Sequence, residues 1–263
     1  MIKIAHYHLV LCLLLFSCSE SKNNEIYSRQ PASEELISAD SLADLPFNFT
    51  CDFIMASDFH EGDVTVQNKS KWLGLFFDGK SYYTKETTVF TEKHFDPIMD
   101  DDSTQQSGLT VKLKEKDTSL FLISTSEFIK ERKVPFYPLK KVSFAPGEQL
   151  KFKFLDLDYK IYATGKIVND EDHLVYKNYK LIIETHFNGQ KRSSILLAID
   201  NWDSINFRDN FLFMGDIDGD GLIDILMDQG IEYYDYNPTL LLSRKRNGSE
   251  LVQPVGSFNR SCC

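Results

Sequence analysis

Asp216-Ile-Asp218-Gly-Asp220-Gly221-Leu222-Ile-Asp224 places carboxylates at positions 1, 3, 5 and 9 of one short stretch, with glycine at position 6. A hard cation such as Ca2+ takes 6 to 8 oxygen ligands, and a turning loop with an acid at every second residue aims several of them at one point. Leu222, at position 7, would add its backbone carbonyl. The glycines allow angles that a side chain forbids, and carboxylates this close repel one another unless a cation lies between them. Metal is the simplest reading of the spacing. The plainer alternative is a solvated acidic turn that binds nothing, because Asp and Gly favour turns for conformational reasons alone.

The elements that must position this loop are short. An EF-hand loop lies between two helices and ends on a bidentate Glu at position 12, whereas position 12 here is Met227. The flanks, Phe211 to Met214 and Leu222 to Met227, are apolar runs too brief to nucleate helices unaided. Strand, loop, strand is the expected arrangement. Asp228, at position 13, would join only if the chain bent back.

Met214-Gly-Asp-Ile-Asp-Gly-Asp-Gly-Leu-Ile-Asp-Ile-Leu-Met-Asp228 resembles the calcium-binding hairpin of FG-GAP or VCBS-type repeats, the loop of integrin alpha chains. The resemblance implies Asp216, Asp218, Asp220 and Asp224 as side-chain ligands of Ca2+, with Leu222 giving its carbonyl. Propellers of that family carry several such repeats. This chain has one clear copy, since Asp96 to Asp102 and Asp156-Leu-Asp158 lack the alternating pattern. The tail from Thr239 to Cys263 is similar to exported bacterial proteins that join one such aspartate loop to a terminal cysteine. That likeness implies that loop and final hairpin form one unit, and it brings no activity with it.

At the other end, Met1-Ile-Lys3 gives a short positive start and Leu9 to Phe16 an unbroken apolar core, followed by Leu15-Phe-Ser-Cys18. This reads as a secretory signal, too short for a membrane span, which needs about 20 apolar residues. It resembles a bacterial lipobox, which implies that residues 1–17 are removed and that Cys18 takes lipid and anchors the chain to a membrane. A plain cleaved secretion signal is the alternative. Ser19 in place of Asp is similar to lipoproteins sent on to the outer membrane, and Glu20 and Glu25 faintly resemble surface-export tags. Residues 18–46 are rich in Ser, Glu, Asn and Lys and read as a tether, with a short amphipathic helix allowed across Ser33 to Leu45.

The composition, 42% hydrophobic, 13% aromatic and 26% charged, suits an exported chain that buries a core. Loss of residues 1–17 removes only Lys3, so the mature balance is 28 basic against 39 acidic residues, a net of −11. Such a surface repels nucleic acid and anionic headgroups. No nucleic-acid partner is expected, and the chain is expected to be a monomer. Cys12 leaves with the signal and Cys18 takes lipid, leaving Cys51, Cys262 and Cys263. In an oxidising compartment two of the three should pair, with Cys51 to one of the terminal two the favoured choice and free buried thiols the alternative.

From Phe47 onward the pattern is that of strands. Asp78-Gly79, Asn188-Gly189 and Asn247-Gly248 each separate two strand-like runs, and both dipeptides suit type I′ hairpin turns. Leu109 to Leu113, Leu120 to Ser124, Leu150 to Leu155 and Tyr159 to Thr164 read as further short strands, and Lys151-Phe-Lys-Phe-Leu155 alternates strictly. The expectation is an all-β protein over 47–263, an antiparallel sandwich or paired sheets with hairpins and one Asp-rich calcium loop, 216–224, near the C-terminus. Pro135-Phe-Tyr-Pro138 and Pro146-Gly147 mark a seam near 135–147, should there be two domains.

No nucleophile elbow, zinc helix, phosphate loop or Cys-X-X-Cys pair is present, and no catalytic residue is assigned. His60-Glu61 with Asp58, and His94 with Asp96, read either as metal or acid-base clusters or, more commonly for such polar turn-like stretches, as solvated loop side chains. Trp72, Trp202 and the tyrosines would serve either a sugar-stacking platform or, more commonly, core packing. The reading is a calcium-stabilised, lipid-anchored envelope protein that binds a glycan or protein ligand or plays a structural part. The alternative is a glycan-directed hydrolase, whose carboxylate pair is set by the fold and not by sequence distance.

Overall fold

A computed structural model describes residues 49–60, 62–124, 128–141, 143–170, 173–203, 210–232, 235–245 and 249–261, and every regular element among them is a strand. The leader, Cys18, the tether, the stretch Ser33 to Leu45, the Asn247-Gly248 turn and the Cys262-Cys263 pair lie outside the described residues. In chain order the strands are β1 (Phe53–Ile54), β2 (Asp58–Phe59), β3 (Lys71–Phe77), β4 (Tyr82–His94), β5 (Gly108–Leu113), β6 (Thr118–Ser124) and β7 (Arg132–Val134). Then come β8 (Gln149–Phe154), β9 (Leu157–Asp170), β10 (His173–Phe187) and β11 (Gln190–Asp203). The last group is β12 (Phe211–Gly215), β13 (Asp224–Asp228), β14 (Asp235–Tyr236), β15 (Pro238–Ser243), β16 (Val252–Ser257) and β17 (Arg260–Ser261).

These strands make three antiparallel sheets and a small ribbon, β14 with β17. The first sheet has the order β1-β6-β3-β4-β5-β2, with β7 added to β4; the second is β11-β10-β9-β8; the third is β12-β13-β15-β16. The all-β expectation holds. The number of layers exceeds it, because the third sheet is covered on both faces. Met214, Ile225, Met227, Leu241 and Val252 pack with the inner residues of the second sheet, among them Ile161, Leu181 and Ile183. Phe213, Leu226, Leu240, Leu242 and Val255 pack with Leu73, Leu75, Phe121 and Ile123 of the first.

This is why Ile225 to Met227 of β13 and Leu240 to Leu242 of β15 are consecutive apolar residues: successive side chains point to opposite faces, and here both faces are dry. Each such Leu, Ile or Met stabilises by ~1.5–3 kcal/mol relative to exposure, so neither face tolerates a polar residue cheaply. The outer sheets show the complementary pattern. In β8, Phe152 and Phe154 are buried while Lys151 and Lys153 face solvent, the alternation a one-sided sheet requires.

The hairpin signals locate turns better than turn types. Asn188 (φ 50°) and Gly189 (φ 75°) both take positive φ between β10 and β11, as a type I′ turn demands. At Asp78-Gly79 only the glycine does, and Phe77 pairs with Tyr82, so the loop is longer than the expected two-residue turn. Asp78 Oδ1 instead accepts the amides of Lys80 and Ser81, at 2.8 Å each, and lets the side chain close the turn. Leu155, expected to end a strand, turns at φ 49° and is exposed. Strand β9 runs well past Thr164, because the bulge at Asn178-Tyr179 of β10 is accommodated opposite Gly165 (φ 138°) without ending the ladder.

Both edges of the middle sheet are flanked by chain. Cys51 N donates to Val255 O beside β16. Beyond β12, Phe136 bridges to Gly215, Tyr137 N donates to Met214 O, and Asp216 N donates to Pro135 O. The stretch read as a seam therefore runs along β12 and into the core, where Phe144 O accepts the Tyr179 hydroxyl at 2.8 Å. Gly215 permits this approach, since a Cβ there would lie 2.5 Å from Pro135 O and 2.6 Å from the Phe213 ring. Gly215→Ala is expected to destabilise by ~1–3 kcal/mol through overpacking. Urea unfolding measures this directly, and an unshifted midpoint would show the contact to be looser than described.

Candidate metal centre

The 216–224 loop connects β12 to β13 and is staked into both cores: Ile217 packs against the first sheet's side and Ile223 against the second's. Gly219 (φ 89°) and Gly221 (φ 84°) supply the left-handed turns between the acids. Each of the first three aspartates then closes on the backbone just ahead. Asp216 Oδ1 accepts Gly219 N at 2.7 Å, Asp218 Oδ1 accepts Asp220 N at 3.1 Å, and Asp220 Oδ1 accepts Leu222 N at 2.7 Å. One oxygen of each is committed to shaping the loop.

Asp216, Asp218 and Asp224 each offer an oxygen, all within 4.8 Å of one another, at exposures of 3%, 7% and 0%. Among the described residues no other group of His, Cys, Asp or Glu converges in this way. Asp220 stands at the rim of this trio: its Oδ2 is buried and has no hydrogen-bond partner, whereas Oδ1 lies 3.1 Å from Ser243 Oγ. Leu222 sits on the same turn, its side chain buried and its amide given to Asp220. Asp228 does not join. At the far end of β13 its Oδ1 accepts the amides of Gly230 and Asn237, so it closes the link to β15.

Asp224 is the brace. Its Oδ2 accepts Ile217 N at 2.6 Å and Asp218 N at 3.4 Å, and its Oδ1 accepts Ser243 N at 2.7 Å and the Ser243 hydroxyl at 2.8 Å. Tyr159 of β9 receives Ile223 N on its hydroxyl at 3.3 Å. From the first sheet, Arg132 Nη2 lies 3.5 Å from Asp216 Oδ2. The loop is thus tied to all three sheets. Ser243, Tyr159 and Arg132 left no mark in the sequence, because each comes from a strand distant in the chain.

Burial dominates the electrostatics. It raises the Asp216 carboxyl, against the pull of Arg132, and pushes Asp220 up to about 6 despite the bonds from Leu222 and Ser243. Asp218 and Asp224 are driven well above the usual carboxylate range by burial first and then by the neighbouring acids. Buried, mutually repelling carboxylates either take up protons or hold a cation. An all-oxygen donor set suits a hard ion, so the site fits a metal ion of that class.

The other expected clusters resolve differently. His60 Nδ1 lies 2.5 Å from Asp96 Oδ2, and Asp96 is buried, its Oδ1 accepting Ile98 N and Met99 N. The His60 hydrogen bond holds the Asp96 carboxyl below its ordinary value. His60 and Asp96 are therefore a paired loop brace and not two solvated side chains. His94 meets Thr110 Oγ1 at 3.1 Å, and Thr110 in turn donates to Asp58. Trp72 and Trp202 are 6% and 1% exposed and belong to the core, so neither forms a stacking platform. Burial, with Asp52 nearby, pushes the Cys51 thiol up to about 12, and its Sγ lies 3.5 Å from Val255 O.

Fold and site together define an all-β protein of three layered sheets carrying a buried three-carboxylate centre able to hold a metal ion. Comparison with protein-family models, curated proteins and solved structures gives no match to this chain.

Proposed function

We propose that this chain is an exported, lipid-anchored protein of the bacterial outer membrane whose 216–224 loop binds Ca2+, and that it works there as a binding or structural module. The observation that carries the reading is the convergence of Asp216, Asp218 and Asp224 in a buried setting that nothing but protons or a cation can neutralise. Ca2+ is favoured over Mg2+ because Mg2+ dehydrates reluctantly and keeps several waters, whereas Ca2+ accepts a crowd of protein oxygens. Asp220 Oδ2 and the Leu222 carbonyl would complete the set. The role is architectural, since the loop is tied to all three sheets and the hydroxyls that touch it, Ser243 and Tyr159, are spent bracing it. Export and anchoring rest on residues 1–18, with Cys18 as the lipid attachment point.

Titration calorimetry of the purified chain with CaCl2 and with MgCl2 tests the site. One Ca2+ is expected per chain with Kd near ~10^-4 to 10^-3 M, the range of extracellular modules, and weaker Mg2+ binding. No calcium binding at 10 mM would end the reading. Retention on immobilised glycans or envelope proteins without product release separates a binding module from a hydrolase.

A further inference from the structure

We infer that Arg132 is the loop's internal counter-charge and sets how tightly the site takes a cation, neutralising Asp216 in the metal-free protein and opposing the ion in the loaded one. The inference rests on the calcium reading above and adds a residue from another sheet. Arg132 is not a wandering surface side chain. Strand β7 pairs with β4 at Thr84, Arg132 N donates to Thr84 Oγ1 at 3.0 Å, and that hydroxyl lies 2.6 Å from Lys130 O. Three residues on, Pro135 O takes Asp216 N at 2.9 Å. The main chain around Arg132 is therefore fixed to the metal loop at one end and to the first sheet at the other.

The guanidinium, 24% exposed, faces a carboxylate that is 4% exposed, so solvent screens the pair only in part. Asp216 Oδ1 accepts Gly219 N, and Gly221 gives the carboxylate a further backbone hydrogen bond, while Oδ2 is the oxygen that faces Arg132. Without a metal, Arg132 is the cation that directly faces Asp216, with Lys245 adding a weaker positive pull on Asp216 and acting on Asp220 as well. With a metal, a fixed positive charge one carboxylate away repels it. An arginine is suited to this, being always charged and too large to enter the site itself. The consequence is an affinity held down to extracellular calcium levels and a loop that stays folded when empty.

The test is calcium titration calorimetry on the full chain as wild type, Arg132→Gln and Arg132→Lys, with melting curves in chelator. Arg132→Gln is expected to bind Ca2+ about tenfold tighter and to melt lower without metal, while Arg132→Lys keeps the wild-type affinity. Wild-type binding with no tightening in Arg132→Gln overturns this inference and leaves the calcium reading standing. No binding by wild type overturns both. Should Arg132→Gln fail to fold, the wild type carries the test: the Arg132 side-chain Nε resonance must move as calcium is added, and an unmoved resonance rejects the idea.

Discussion

Calcium at 1 mM is expected to raise the melting temperature of the wild-type chain by several degrees, and Asp218→Asn to remove that response. For a site with Kd near 0.1 mM, mass action gives ~1.4 kcal/mol at tenfold excess, worth about 3–6 °C in a domain of this size. Asp218 is the informative position because it is buried among Asp216, Asp220 and Asp224, all of which raise its carboxyl. The amide of Asn keeps an oxygen for Asp220 N, so the turn survives. What is lost is one buried negative charge. The variant is thus expected to melt above the wild type in chelator and below it in calcium. Scanning calorimetry under both conditions decides, and curves that do not cross count against a cation at this loop.

The second large effect concerns pH in the absence of metal. Asp220 ionises near 4 in the unfolded chain and near 6 when folded, so the folded state holds the proton more firmly. A carboxyl of this kind stabilises the fold below its unfolded pKa, and the contribution is lost as pH rises through the folded one. For Asp220 the loss is ~3 kcal/mol at 1.36 kcal/mol per unit. Asp218 and Asp224, raised further, extend it to higher pH.

Carboxyls lowered by their partners, such as Asp96 and Glu184, act the other way, but only as pH falls from their ordinary carboxylate values through the depressed ones. Between pH 5 and 8 the loop acids are therefore the ones that set the slope. In chelator the chain should be markedly less stable at pH 8 than at pH 5. Saturating calcium should flatten or reverse the difference, because the ion binds only the ionised acids. Denaturant midpoints across this range, with and without calcium, measure it, and a flat metal-free profile would mean that the acids are better solvated than their burial implies.

Much of this was legible in the chain itself. Period-2 alternation in Lys151 to Phe154, and glycine turns at Asp78-Gly79 and Asn188-Gly189, are local signals, and local signals survive into the structure. So does the alternation of Asp with Gly in the loop, because each acid closes a turn on an amide two or three residues ahead. What could not be read is whatever depends on layering. A continuous run such as Leu240-Leu241-Leu242 announces burial without saying that two different sheets provide it. Pairings across long separations, Arg132 with Asp216, Tyr159 with Ile223 and His60 with Asp96, follow from topology, and no motif encodes them.

The position of the third sheet also bears on how the chain must come together. Its strands, 211–257, emerge from the ribosome after both outer sheets, yet they fill the space between them. Until then the apolar faces of residues 71–124 and 149–203 have nothing to bury against. Contacts of such long sequence separation form slowly, so two apolar surfaces wait uncovered until the final fifth of the polypeptide packs between them.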